Sequence, residues 1–404
     1  MKIRKKNIDN LLLGLLIISL YFSRVNIDIG FTIKPYMVIT AIILIYTLND
    51  FYVKKLFKFE VYMITFIFLF SLTSLRFLYP EKHIRYILAF ILIMLFYFVN
   101  RTFLSRFTIK NIEESLVYYS NIAIATSLIY YFLGIISLRG SFVGNGLHRY
   151  GVLLDRGIPR LTGLISSDPN IFVFVVTIIF IYTFSNINCS RNRIGLFLSG
   201  LSIILTFSRG AYIAIGLAII IMIIMQNNLI KSIKIILVIL IAVISINFIA
   251  KYFSINLIDI ITSRFDSIAI DGGSGRDILW RNAIESFKTH PIFGIGINAT
   301  TSYGSKYYSN SHYVHNSILE VLSEGGVVVF SIFMIFIMSL LIYSIKIYFN
   351  NKKNIFIFIS FLAMIIQMMF LSVIYNEMFY FFILLVYRYS DNYKKNNSNF
   401  KEIL

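Results

Sequence analysis

Cysteine is all but missing from this chain. Cys189 stands alone, which excludes an internal disulfide and leaves no thiolate set for a structural metal. No group of His, Cys and carboxylates shows ligand spacing either, so neither a metal nor a cofactor is expected. Charge is scarce too: 14% of residues are charged and 58% are hydrophobic, whereas a soluble surface needs roughly a quarter of its residues charged. That excludes a soluble domain. No repeat relates the two halves, which counts against a transporter assembled from paired repeats. The first apolar run is followed by Tyr21 to Arg24 where a cleaved signal would need small residues, so it reads as an uncleaved anchor.

Long apolar runs are what the chain does have. A bilayer core takes about 20 apolar residues per helix, and about twelve runs qualify: 9–24, 31–48, 60–79, 84–99, 114–136, 169–186, 193–208, 210–226, 232–250, 316–347, 355–375 and 376–389. The expected fold is an all-α polytopic membrane protein. Nine spans would fill 1–250, with an outer loop at 137–168. A large extracytoplasmic loop with short helices would occupy 251–315, three more spans 316–389, and a cytoplasmic tail 390–404.

Basic residues orient this arrangement, because Lys and Arg are retained on the cytoplasmic side of short loops. Lys2, Arg4, Lys5 and Lys6 place the N-terminus inside. Every second loop repeats the signal: Lys54, Lys55 and Lys58; Arg101, Arg106 and Lys110; Arg191 and Arg193; Lys231 and Lys234; Lys346, Lys352 and Lys353; then Lys394 and Lys395. Both termini are therefore expected in the cytoplasm of a multi-pass protein, with both long loops and all five His outside. The net charge of +18 is largely this rim, and points to membrane lipids and not to nucleic acid.

The stretch from Asp271 to Gly326 is unlike its surroundings. It is polar and holds the only Trp and three of the five His. Ser274 three residues before Asp277 resembles a capping box, and Leu279, Trp280, Ala283, Ile284 and Phe287 fall at helical spacing, which predicts a helix over 275–289 ended by His290-Pro291. Arg276 and Arg281 sit near its start. Gly272-Gly273-Ser274-Gly275 before it is either a plain loop or a cradle whose amides, with a guanidinium alongside, could hold phosphate. Tyr303, Tyr307, Tyr308 and Tyr313 offer faces that suit sugars, although aromatics are also common at membrane interfaces.

His315 and Asn316 stand where the chain returns to the membrane, at the start of a helix expected to bend at Gly325-Gly326. An imidazole at a helix N-terminus meets the positive end of the dipole. Its neutral form is favoured, so it can accept a proton or serve as a structural hydrogen-bonding group. Asn316, Glu320 and Glu324 recur every four residues, and carboxylates inside an apolar helix are functional or structural anchors. Elsewhere, Ser208-Arg209-Gly210 separates two apolar runs and leaves Arg209 at the bilayer edge. Arg160 through Gly163, followed by Ser167-Asp168-Pro169-Asn170, leads into the sixth span, with Pro169 suited to its first turn.

This ordered set resembles the O-antigen ligase and polymerase family of bacterial envelopes. The resemblance is carried by Thr206-Phe207-Ser208-Arg209-Gly210, by Gly273-Ser274-Gly275-Arg276 with Trp280 and Ala283, by Pro291 to Gly296, and by His315-Asn316 with Leu319, Glu324 and Gly325. Arg160, Gly163, Pro169 and Asn170 match a weaker family pattern. It covers about 160–330 and implies a GT-C-like, metal-independent, inverting glycosyltransferase. The implied donor is a glycan on undecaprenyl diphosphate at the outer face of the cytoplasmic membrane. By that similarity Arg209 and Arg276 would hold the diphosphate and His315 would take the acceptor's proton. Arg160, Arg281, Trp280, Asn316, Glu320 and Glu324 would contact substrate. A flippase and chain-length regulator proteins are the expected companions.

The family divides by acceptor. A polymerase extends a lipid-linked repeat unit toward capsule, exopolysaccharide or O-antigen; a ligase moves the finished glycan onto lipid A core, protein or a wall polymer. A composition rich in Ile, Asn and Lys and poor in Ala suits an AT-rich genome, common where no lipopolysaccharide core exists, and leans to polymerase. A lipid-linked oligosaccharide flippase would want charges at midplane of several spans, and the apolar runs here are nearly charge-free. A pure scaffold would leave the Arg and His set idle.

Overall fold

The computed structural model describes residues 2–22, 27–28, 32–76, 79–164, 168–226 and 275–396, with single positions and short pieces between 244 and 266. The predicted ninth run at 232–250 and the Gly272-Gly273-Ser274 turn lie outside the described residues, apart from positions 244 and 247.

The first helices are α1 (Lys2–Ser19), α2 (Pro35–Thr47), α3 (Lys58–Leu72), α4 (Pro80–Leu104) and α5 (Ile109–Ser137). They are followed by α6 (Pro169–Ser185), α7 (Ser190–Leu205) and α8 (Arg209–Gln226). Two short helices, α9 (Arg276–Thr289) and α10 (Thr300–Tyr308), precede α11 (Ser317–Asn350), α12 (Ile355–Met368) and α13 (Glu377–Asn396). Among the described residues, five helical stretches are long and apolar enough to cross a membrane: Lys58–Leu75, Pro80–Leu104, Ile109–Ser137, Arg209–Gln226 and Ser317–Asn350. Pro35–Asp50 and Pro169–Ser185 are shorter apolar stretches. The fold is that of an all-α polytopic membrane protein. Its outer helices leave Ile45 74% and Ile224 69% exposed, an apolar surface that lipid covers.

Two helices sit in the centre: α6, apolar all round, and α13, apolar from Met378 to Tyr387 with charged groups near its ends. Every residue of α6 from Phe172 to Phe184 is buried, and so is every residue from Asn376 to Asp391 at α13. Hydrogen bonds and ion pairs define the two ends of the bundle. At one end Lys34 meets Glu377 (2.9 Å), Ser208 meets Asn170 (2.6 Å) and Ser317 meets Leu371 (2.6 Å). At the other, Arg101 meets Glu60 (2.6 Å), Arg388 the Phe107 carbonyl (2.7 Å) and Lys54 Asp391 (3.5 Å).

Four details differ from the sequence expectation. The run at 355–375 is helical only to Met368, and residues 369–376 turn back across the bundle end. The loop at 137–168 holds a small antiparallel sheet of β3 (Leu147–Arg149), β4 (Val152–Asp155) and β5 (Ile158–Leu161). Its second hairpin pairs Asp155 with Ile158 across Arg156 (φ 53) and Gly157 (φ 78), and this right-handed two-residue turn needs positive φ at both positions. A shorter ribbon, β1 (Ile27–Asp28) with β2 (Thr32–Ile33), precedes α2. Finally, α9 begins with Gly275 as N-cap at φ 72 and no side-chain cap.

The expected bend in α11 is present. Gly326 takes φ 64 and ψ −172, a backbone region essentially reserved for Gly. Breaking a helix frees amides and carbonyls that need partners, and residues 291–298 supply them. Val327 N donates to the Pro291 carbonyl (2.8 Å), Ile295 N to the Ser323 carbonyl (3.0 Å) and Gly296 N to the Glu324 carbonyl (3.0 Å). The segment is pinned from its other side by His83 Nδ1 on the Ile297 carbonyl (2.7 Å) and by Ile297 N on Thr73 Oγ1 (3.0 Å).

Candidate functional site

Five chain segments meet at the end of the bundle marked by Ser208, Asn170, Ser317 and Leu371. The first turn of α6 brings Asp168 and Asn170. Asp168 caps that helix, its Oδ1 accepting from Asn170 N (2.8 Å) and Asn170 Nδ2 (2.9 Å). The α7–α8 junction brings Ser208 and Arg209 through Phe207, which is left-handed at φ 49. The start of α9 brings Arg276 and Trp280, the start of α11 brings His315, and the end of α12 brings Gln367, Phe370 and Leu371.

Asn170 is the hinge of the group. Its Oδ1 accepts from Ser208 Oγ at 2.6 Å and from Arg160 Nη2 at 3.2 Å. Arg160 also donates through Nε to the Thr206 carbonyl (2.9 Å) and through Nη1 to Asp155 Oδ2 (3.0 Å). It therefore bolts the small sheet to α6 and α7, with most of its guanidinium taken up by protein groups.

A shallow recess with room for about one water (about 10 Å³) lies between Asn170, Ser208, Gly210, Arg276, Gln367 and Phe370. Arg276 and His315 are both half-buried, and among the described residues neither has a hydrogen-bond partner. Burial, reinforced by the neighbouring Arg209 and opposed by Asp168, pulls the Arg276 pKa below the usual guanidinium value; an Arg stays charged regardless. Burial likewise lowers the His315 pKa below the usual imidazole value, with Arg276 and His312 adding to the effect and Asp168 opposing it. At neutral pH His315 is thus a neutral imidazole beside a partly desolvated cation. His315 also holds a left-handed backbone, φ 52, an uncommon conformation for a non-Gly residue. The arrangement can bind an anionic group and accept a proton next to it.

The other residues singled out from sequence fall into two groups. Trp280 stands at the recess, its ring 6.5 Å from that of Phe370, with an indole N–H that has no partner among the described residues. Asn316 caps α11, its Oδ1 accepting from Ile318 N (3.0 Å) and Leu319 N (3.1 Å). Glu320 is buried and its Oε2 is unpartnered among the described residues. Glu324 is fully buried and both of its oxygens are occupied: Oε2 by Asn298 N (2.7 Å), Oε1 by Thr300 N (3.2 Å) and Thr300 Oγ1 (2.8 Å). Arg281 is not brought to the recess; its side chain is 72% exposed and pairs with Asp277 one turn back (2.8 Å).

Sequence reading noted Asp168 only as a helix start. Its place near Arg276 and His315, more than a hundred residues away, has no local signal. The same holds for Gln367 and Phe370, which sit in an apolar run. Among the described residues, no three His, Cys, Asp or Glu side chains come together as a metal set.

Fold and site together define a polytopic membrane protein with a recess lined by Arg276 at one end of its helix bundle and His315 close to that arginine. The family described as O-antigen ligase matches residues 194–334, the stretch that carries Arg209, Arg276 and His315. This match supports the O-antigen ligase/polymerase family. No curated protein matches the chain significantly.

Proposed function

We propose that this protein polymerises undecaprenyl-diphosphate-linked oligosaccharide repeat units into a surface polysaccharide, at the outer face of the cytoplasmic membrane. The observation that carries the reading is the meeting of Arg276 and His315, both half-buried and without hydrogen-bond partners among the described residues, with Arg209 and Asp168 close enough to act on them electrostatically. The concentration of Lys and Arg at the opposite end of the bundle supports an outward-facing site.

The chemistry is a single displacement. A hydroxyl of the acceptor sugar gives its proton to the neutral His315 imidazole, and its oxygen attacks the anomeric carbon of the donor. The bond from that carbon to the phosphate oxygen breaks, and undecaprenyl diphosphate leaves with the electron pair. Arg276 and Arg209 stabilise the charge that grows on the diphosphate, and a partly desolvated guanidinium does this more strongly than a hydrated one. Inversion at the anomeric carbon follows, with neither a covalent intermediate nor a metal in the proposed path. A flippase would supply the donor and chain-length regulators would act on the product.

The ligase alternative draws support from the family description itself, O-antigen ligase. The experiment that separates the two uses purified protein in nanodiscs with a lipid-linked repeat unit and a chelator. A ladder of longer lipid-linked glycans supports the polymerase. Glycosylation of added lipid A core, protein or wall polymer with no ladder would replace it by the ligase. Lipid translocation without any transfer would remove both.

A further inference from the structure

The end of the bundle opposite the recess carries a second feature. A pocket of about 220 Å³ is lined by Lys55, Lys58 and Lys394 together with Phe57, Val61 and Tyr62. The other basic groups nearby have carboxylate partners: Arg101 has Glu60, Arg106 has Asp9 and Asp50, and Lys54, Arg388 and Lys395 share Asp391. Lys55, Lys58 and Lys394 have no carboxylate partner among the described residues. Three ammonium groups on one concavity repel one another, so the pocket is a place for an anion.

Its floor is rigid. Phe57 is buried against Phe59, Tyr343 and Tyr387 at ring distances of 5.8, 5.8 and 6.0 Å, and its amide donates to Glu60 Oε2 (2.7 Å). Lys394 Nζ stands 5.8 Å from the Phe57 ring. The apolar wall continues out of the pocket, because Val61, Phe68 and Leu72 are exposed and lie on one face of α3. A soluble anion would use the lysines and leave that wall bare. A phospholipid uses both, its phosphate among the lysines and its chains along α3.

We propose that this pocket binds the headgroup of an anionic phospholipid, clamping the loop before α3 to the end of α13. The test is native mass spectrometry on the full chain in detergent, titrated separately with phosphatidylglycerol, phosphatidylcholine and glycerol phosphate. Wild type should retain phosphatidylglycerol in preference to phosphatidylcholine. The triple variant Lys55→Gln, Lys58→Gln, Lys394→Gln should lose about tenfold in affinity for it. A charge-matched control, Lys110→Gln, Lys352→Gln, Lys353→Gln, should bind as wild type does. Equal retention by the two triple variants, or displacement of lipid by equimolar glycerol phosphate, would overturn the proposal. Should the pocket triple elute as aggregate, Lys394→Gln alone, near the end of α13, should still weaken binding several-fold, and unchanged binding there refutes the site.

Discussion

Glu324 holds the amide of Asn298 at 2.7 Å and the hydroxyl of Thr300 at 2.8 Å, so a carboxylate inside α11 fastens residues 294–300 onto the break in that same helix. Glu324→Ala would leave those donors buried and unpaired. We expect a loss of about 2–4 kcal/mol in unfolding free energy, because stranding buried donors costs about 1–3 kcal/mol each. Glu324→Gln keeps one acceptor and should recover part of it. Thermal unfolding in detergent reads the difference, and an unchanged midpoint in Glu324→Ala would refute the bracing role.

The break itself depends on two glycines. A Cβ on Gly326 would overlap the Ile292 carbonyl, and one on Gly294 the Glu324 backbone. Both have positive φ, 64 and 65. Gly326→Ala and Gly294→Ala should each destabilise by about 2–4 kcal/mol, visible as loss of monodisperse protein on size exclusion.

At the recess, His315→Ala and Arg276→Ala should lower transfer by about 10²–10⁴ while the elution profile stays that of wild type. Arg276→Lys should recover little, since an ammonium lacks the planar fork that grips a phosphate at two oxygens. Arg281→Ala, by contrast, removes an exposed pair and should leave turnover and stability within about 0.5 kcal/mol.

The pH profile follows from the His315 shift. The base must be neutral, and burial with Arg276 alongside disfavours the imidazolium. The acid limb of activity should therefore lie below the ordinary imidazole value of about 6.5. Arg276→Gln removes a cation, raises the His315 pKa and moves the limb of the residual activity to higher pH. Asp168→Asn removes the opposing anion and moves it lower. Limbs that do not move in opposite directions would argue that another group is the base.

Much of this protein was legible without coordinates of any kind. The apolar helices at 169–186 and 210–226, the helix from 275 to 289 and the bend at Gly326 all follow from hydropathy, period and the special backbone of Gly. Residues 369–376 misled because their composition is as apolar as a span; they turn because α11 offers Ser317 to their backbone at 2.6–3.0 Å, a contact between distant positions. The sheet at 147–161 was missed because its strands are only three or four residues long.

Composition, hydropathy and charge asymmetry by themselves determined the class, since a bilayer imposes run length and loop charge residue by residue. Motif spacing and the family resemblance made Arg209, Arg276 and His315 candidates for the site. Only the tertiary structure decided which candidates share a recess and which serve the frame. Arg160 and Arg281 are both loop arginines in sequence, yet one is a bolt between elements and the other a solvent-exposed pair. That division rests on partners brought together by packing, such as the Thr206 carbonyl that Arg160 reaches 46 residues on, and a contact of that kind leaves no periodic trace in the chain.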